Sequence, residues 1–239
     1  MTLSGEKHAA FIGIGLIAGL ALLGFFINHA VKTNRGFERT VTVRGLSEQE
    51  HIADIVIWPI QFTQASNSQQ EIYTLLDGDA QKVIDFLVDN GIDREEISVS
   101  TPSVTDRSAQ VWAAEGTPAF RFVGSQTVTI YSSDVEGIRR LMGSVSELGR
   151  QGVVISASDY QQSVQYLFTR LNEIKPQMVE EATVEARKVA EKFAEDSNSR
   201  LGKIKTASQG QFSIMDRDMN NPHIKNVRVV STIVYYLVD

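Results

Sequence analysis

The chain has 239 residues, 42% hydrophobic and 22% charged, which is enough apolar content for a sizeable core and excludes a disordered protein. Its net charge of -6 repels phosphate backbones and argues against nucleic acid as a partner. There is no cysteine, so disulfides and thiolate chemistry are excluded.

The first predicted element is residues 9–27 (AAFIGIGLIAGLALLGFFI), which hold no charged or strongly polar side chain. As a helix they span roughly 28 Å, close to the ~30 Å hydrocarbon thickness of a bilayer. A core helix would show a polar face, and this stretch has none. The competing reading is a signal peptide, whose apolar region is shorter and ends in small residues of A-x-A type. The exit here, Ile27-Asn28-His29-Ala30, is a poor cleavage site. The expectation is an uncleaved single-pass anchor over residues 1–31 in the inner membrane. The N-terminus would lie in the cytoplasm and the rest of the chain in the periplasm. Lys7 on one side and Lys32 and Arg35 on the other leave the charge rule undecided. Gly15 and Gly19 form a GxxxG pair, which lets two membrane helices approach closely; glycine is also simply common in such helices.

Residues 32–37 (KTNRGF) read as a linker, and 38–239 as the folded domain. Arg39 to Arg44 alternates with period two and predicts a strand, followed by a turn at Gly45–Glu50. Ile52–Thr63 is the next strand, where Pro59 removes a ladder donor and predicts a sheet edge or a bulge. Residues 67–90 carry Ile72, Leu75, Leu76, Val83, Leu87 and Val88 at helical spacing, with Asn67 or Ser68 as cap and Asn90-Gly91 as stop. Asp77-Gly78-Asp79 interrupts this pattern and lacks the further oxygen ligands of a calcium loop, so it reads as an exposed turn of helix. Ile97–Thr105 is a strand. Residues 106–119 form a polar connection holding Trp112, either a contact surface or a cover over the sheet edge. Phe120–Tyr131 is a strand, Asp134 caps a helix over 135–149, and Val153–Ser158 is a strand.

The pattern then restarts. Ser163–Thr169 reads as a strand, and Pro176 suits the first position of a helix running to about Arg200. Lys203–Phe212 is a strand, 215–226 a loop, and Val227–Val238 the closing strand. The fold class is therefore α+β: two βαββ-like units, about 52–131 and 153–238, with antiparallel sheets and a long packing helix each, preceded by one transmembrane helix. On the second long helix, Met178, Ala182, Ala186, Val189, Ala190 and Phe193 make the inner stripe, and Glu181, Glu185, Lys188, Glu191, Lys192 and Glu195 the outer face. Inner alanines let a backbone come close to a sheet.

These residues carry a resemblance. Glu181-Ala182, Ala186-Arg187, Ala190-Glu191 and Ala194, followed by Leu201-Gly202-Lys203-Ile204, resemble the C-terminal signature of SIMPL-domain proteins. Val41–Gly45 and the step Leu87–Ile92, Glu96-Ile97-Ser98 resemble its N-terminal part, so the likeness covers about residues 38–238. The family often has Y-x-A before its central strand, where this chain has Phe122-Val123-Gly124. The resemblance implies a bacterial envelope or periplasmic α+β protein, in some members ring- or channel-forming and in some linked to stress protection. It offers no catalytic residues to carry over.

The sequence adds no chemistry of its own. His8, His29, His51 and His223 form no metal-binding pair, and no nucleophile elbow, phosphate loop or dinucleotide fingerprint is present. Asp216 and Asp218 around Arg217 read as a solvated loop, not a cation site. The expectation is a non-enzymatic envelope protein with no cofactor or metal, a homo-oligomer assembled through exposed sheet edges or the Trp112 loop. Two alternatives stay open: a periplasmic binding module for a small molecule or envelope partner, with a cleft between the two halves, and an enzyme with a scattered carboxylate site.

Overall fold

The computed structural model describes residues 13, 15–28, 39–109, 119–156 and 163–238. Trp112 lies outside them. A first helix, α1, covers residues 15–28. The strands are β1 (Thr40–Ile52), β2 (Ile55–Ser66), β3 (Ile97–Val99), β4 (Ser103–Asp106), β5 (Phe122–Ser132), β6 (Gln165–Leu167), β7 (Arg200–Gln209), β8 (Ser213–Asp216) and β9 (Ile224–Val238). The further helices are α2 (Gln69–Asp89), α3 (Val135–Met142), α4 (Ser146–Arg150) and α5 (Leu171–Asp196). The chain is α+β with antiparallel strand pairing, as the sequence predicts.

The chain divides into two units. One comprises Met1–Glu48, Lys175–Ser213 and Arg228–Asp239; the other Gln49–Ile174 and Ile214–Val227. The layout of sequential βαββ halves is not confirmed. β1 pairs with β9, and β9 with β7, so the first strand of the domain shares a sheet with the last.

In the second unit the sheet order is β3-β5-β2-β6, with β4 also on β5. Alternation builds it. Val56, Trp58, Ile60 and Phe62 of β2 are buried, as are Val128 and Ile130 of β5, and Ile72, Leu76, Ala80, Val83 and Leu87 of α2 belong to the same core. Each fully buried Ile, Leu or Phe contributes about 1.5–3 kcal/mol. The helix begins where its signals lie: Ser68 accepts from the Glu71 amide, and Gly91 takes φ +90° beyond the last turn. Pro59 sits opposite Thr129 in unbroken register. Gln61 and Thr63, of the same parity, exchange hydrogen bonds with Ser156 and Val154 on the side away from β5. The missing N–H of Pro59 therefore faces the outer side, and no bulge is needed.

Several local expectations are corrected. Gly45–Glu50 is not a turn but the middle of β1. The helix over 135–149 is two helices, parted at Gly143. Of the strand expected over Val153–Ser158, the described residues 153–156 make an isolated bridge, Ile155 to Phe62, and 157–158 lie outside the described residues. Ile97–Thr105 is broken into β3 and β4 around Pro102. α5 begins at Leu171, so Pro176 lies inside it and only its bond to the Asn172 carbonyl is forgone. Asp79 is not exposed: it is buried, accepting from Gln64 of β2 and from Lys82. A carboxylate with two donors can stay in a core that an unpaired one could not.

In the first unit α5 lies on the sheet through Met178, Ala182, Ala186, Ala190 and Ala194, all buried. Val189 and Phe193, expected on that stripe, are exposed instead. The contact explains the alanines. A Cβ on Gly45 would stand 1.8 Å from the Ala182 carbonyl oxygen and 2.5 Å from the Ala186 nitrogen. Helix and strand backbones touch there, and no larger side chain fits between them. Ser47, next on the same face, is buried and donates to Glu181 at 2.8 Å.

Candidate functional site

A cluster of ionisable and aromatic side chains in the second unit is built on Tyr166 and His223. Tyr166 is on β6, which pairs with Ile55–Ile57 of β2. His223 ends the turn between β8 and β9, and both are buried. Their rings meet edge to face at 6.0 Å. The turn is braced by the Asp218 carboxylate, which accepts from the backbone amides of Asn220 and Asn221 and from the Asn221 side chain. The His223 carbonyl accepts from the Ala53 amide at 2.8 Å, which holds the turn's end against the start of β2. Nearby His51 stacks on Phe168 at 5.1 Å.

Charged groups fence this pair. Glu136 and Arg139, one turn apart on α3, form an ion pair at 3.0 Å. Arg217 pairs with Asp218 at 2.9 Å and with Glu50 at 3.6 Å. Burial pushes the Tyr166 phenol up, against the pull of Arg139, so it stays protonated at neutral pH. Burial also pushes His223 down, helped by Arg139 and Arg217 and opposed by Glu136 and Asp218. The imidazole is therefore neutral at pH 7. The guanidinium of Arg217 holds the Asp218 carboxyl below its ordinary range. Asp54 is also lowered: burial raises it, but hydrogen bonds from Thr169 and Arg170 outweigh the burial.

A pH dependence follows. The unfolded chain protonates His223 near pH 6.5, whereas the folded chain resists until lower pH. Stability from this group is complete above about pH 6.5 and is lost as pH falls toward the depressed folded value. The lowered carboxylates act in a separate window, losing their contribution below about pH 4. His223→Gln is expected to flatten the fall in melting temperature between pH 7.5 and 5.5 and to leave the fall below pH 4. An unchanged slope in the upper window would contradict the assignment.

The opposite side of α3 lines a cavity of 320 Å³ with Asn90, Gly91, Ile92, Asp134, Gly137, Arg140, Leu141 and Ser144. Asp134 caps α3 by accepting from the Gly137 amide, and the Arg140 Nε donates to the Glu136 carbonyl at 3.4 Å. One carboxylate and one guanidinium share this hollow, which suits small polar molecules. None of its polar side chains is buried.

The residues singled out from sequence are not brought together. Gly15 and Gly19 sit on α1, and a Cβ on either would meet nothing within 4 Å. Asp216 pairs with the buried Lys225, and Asp218 clamps its own turn, so the two carboxylates serve separate partners. No group of three or more His, Asp or Glu able to hold a metal occurs among the described residues. The Tyr166–His223 pair was missed because the two are far apart in sequence; the only signal was a lone histidine after Asn-Asn-Pro.

The SIMPL family, described as a protein of unknown function (DUF541), matches residues 41–232. A comparison with curated proteins finds no match.

Proposed function

We propose, starting from the fact that the chain belongs to the SIMPL family, that it is a non-enzymatic envelope protein held in the inner membrane by residues 9–27. Its folded part stands in the periplasm as a homo-oligomer, and a part in stress protection belongs with this reading through the family resemblance. The observation that carries the proposal is the surface of α1. Leu16, Ile17, Leu20, Leu22, Leu23, Phe25, Phe26 and Ile27 are all exposed, on every side of the helix. Such a surface is favourable in lipid and costly in water. No helix among the described residues is long and apolar enough to cross a membrane; α1 as described covers part of the apolar stretch. The ion pairing around Tyr166 and His223 supports a non-catalytic role. Its charges neutralise one another, and the histidine is buried.

The test is fractionation of bacteria expressing the full chain. After alkaline carbonate extraction the protein is expected to stay in the membrane pellet. In spheroplasts, added protease is expected to cut exposed segments of the folded part. Release by carbonate would remove the anchor from the account, and protection in intact spheroplasts would reverse the orientation.

A further inference from the structure

α5 does not cover the whole sheet of the first unit. Its alanines bring it down on Gly45 of β1, and β7, at the other end of the order β1-β9-β7, is left open. Ala207 and Gln209 of β7 pair with Ile233 and Ser231 of β9, and Ile204 pairs with Tyr235. Ile233 and Tyr235 share a core with Ala186 and Ala190 of α5, and Ser231 has the same parity as both. Their partners on β7 therefore face α5 as well. Ile204 is nonetheless 43% exposed, and Ala207 and Gln209 are exposed with it.

The gap is a groove of 200 Å³, with Val179 and Thr183 of α5 as one wall and Ile204, Ala207 and Ile233 on the sheet side. The Thr183 hydroxyl donates to the Val179 carbonyl, so it brings no free donor to the groove. Ser231 differs. It lines the same groove, is only 4% exposed, and its hydroxyl has no hydrogen-bond partner among the described residues. A buried hydroxyl without a partner is costly, and native proteins keep few of them. A hydroxyl can turn about its own bond to meet a partner that arrives.

A positive charge stands at the same end. Gln209 pairs with Ser231, and Phe212 lies just beyond it in the chain. The Lys175 Nζ sits 6.0 Å from the centre of the Phe212 ring. Lys175 is one turn before Val179 on α5 and makes no ion pair among the described residues. The groove thus has a polar end, with Lys175, Gln209 and Ser231, and an apolar end, with Ile204 and Ile233.

We propose that this groove is a binding site for a short aliphatic monocarboxylate. The carboxylate accepts from the Ser231 hydroxyl and from the Lys175 ammonium, and the chain lies between Val179 and Ile204 over Ile233. The inference depends on neither the anchor nor the oligomeric reading. Size sets the chain length: a dry apolar cavity of about 150 Å³ holds benzene, so this groove takes a chain of about six carbons. Other classes fit less well. A hydrocarbon leaves Ser231 without its partner, an amine meets Lys175 as a like charge, and a sugar sets hydroxyls against the isoleucines.

The chain has no cysteine, so Ala207→Cys puts a single thiol in the groove. The test follows its alkylation by iodoacetamide in the full-length chain in membranes, with sodium hexanoate as the probe. Hexanoate is expected to slow the reaction saturably. Val184→Cys, at an exposed position outside the groove, is expected to react at an unchanged rate. Adding Ser231→Ala or Lys175→Gln to Ala207→Cys is expected to raise the half-protecting concentration about tenfold, the worth of a hydrogen bond to a charged group. Acetate, which lacks the chain, and hexanamide, which lacks the charge, are expected to need about tenfold more as well. Ser231→Ala removes a group with no partner, so its urea midpoint is expected not to fall, which separates lost binding from lost folding. No protection by hexanoate, or equal protection of both thiols, overturns the site. Protection that survives either substitution overturns the placement of the carboxylate, and equal protection by hexanamide overturns the ligand class.

Discussion

Gly45→Ala is expected to destabilise the protein by about 3 kcal/mol, the upper part of the range for forcing extra volume into a packed contact. The atoms its methyl group would strike are the Ala182 carbonyl oxygen and the Ala186 nitrogen, at 1.8 and 2.5 Å. These two backbone groups are four residues apart, the spacing of one hydrogen-bonded turn of α5, so neither can rotate aside as a side chain would. The helix must lift from the sheet, and the contacts of Val43, Ala186, Ala190, Ile233 and Tyr235 loosen with it. Urea denaturation of the full chain measures the loss. Gly78→Ala is the control. It lies in α2 with nothing within 4 Å of the added carbon, and helix propensity predicts a gain of about 0.5–1 kcal/mol. Equal effects from the two substitutions would refute the close backbone contact.

Leu76→Ala is expected to cost about 3 kcal/mol in the other unit, through lost burial and the cavity left behind. Leu76 is fully buried, and its Cδ1 lies 2.8 Å from where a Cβ on Gly124 would stand. That geometry gives a second result. Gly124→Ala alone comes nearest to the far end of the Leu76 side chain, which can shift, with Ile72 and Val104 next, so its expected effect is smaller than that of Gly45→Ala. In the Leu76→Ala background the added methyl enters the space just vacated and recovers part of the loss. The double-mutant cycle reads this directly as a favourable coupling. Simple additivity would place the two residues out of contact.

Much of the architecture was legible because it depends on local chemistry. The α2 boundaries follow from Ser68 and Gly91, α3 begins at Asp134, and the alternation of β2 and β5 reads straight off the residues. The alanine stripe of α5 was legible too, except for Val189 and Phe193. Those two are apolar, and periodicity alone assigns every apolar residue near a stripe to the core. Gly45 was misread for the same kind of reason. A glycine before Leu-Ser-Glu-Gln-Glu is a turn signal by propensity, whereas here it is a strand residue under a helix backbone. Asp79 was misread because a carboxylate beside a glycine in a helix looks solvated. Its burial is made tolerable by Lys82 one turn on and by Gln64, which lies on another element and could not be placed from the sequence. Tyr166 and His223 met no rule at all, since their contact depends on where the β8–β9 turn comes to rest.

By itself, then, the amino-acid sequence determined the family, the α+β class, the apolar N-terminal stretch, and most helices and strands with their caps. Those properties are set by neighbours a few residues apart, through dihedral preference, side-chain period and transfer energy. Only the tertiary structure decided that the first strand shares a sheet with the last, that α5 meets β1 backbone to backbone, and which apolar residues of α5 stay uncovered. Pairing between distant strands costs chain entropy wherever it is made. Which pairing repays that cost depends on packing summed over the whole unit, and no window of the sequence contains that sum.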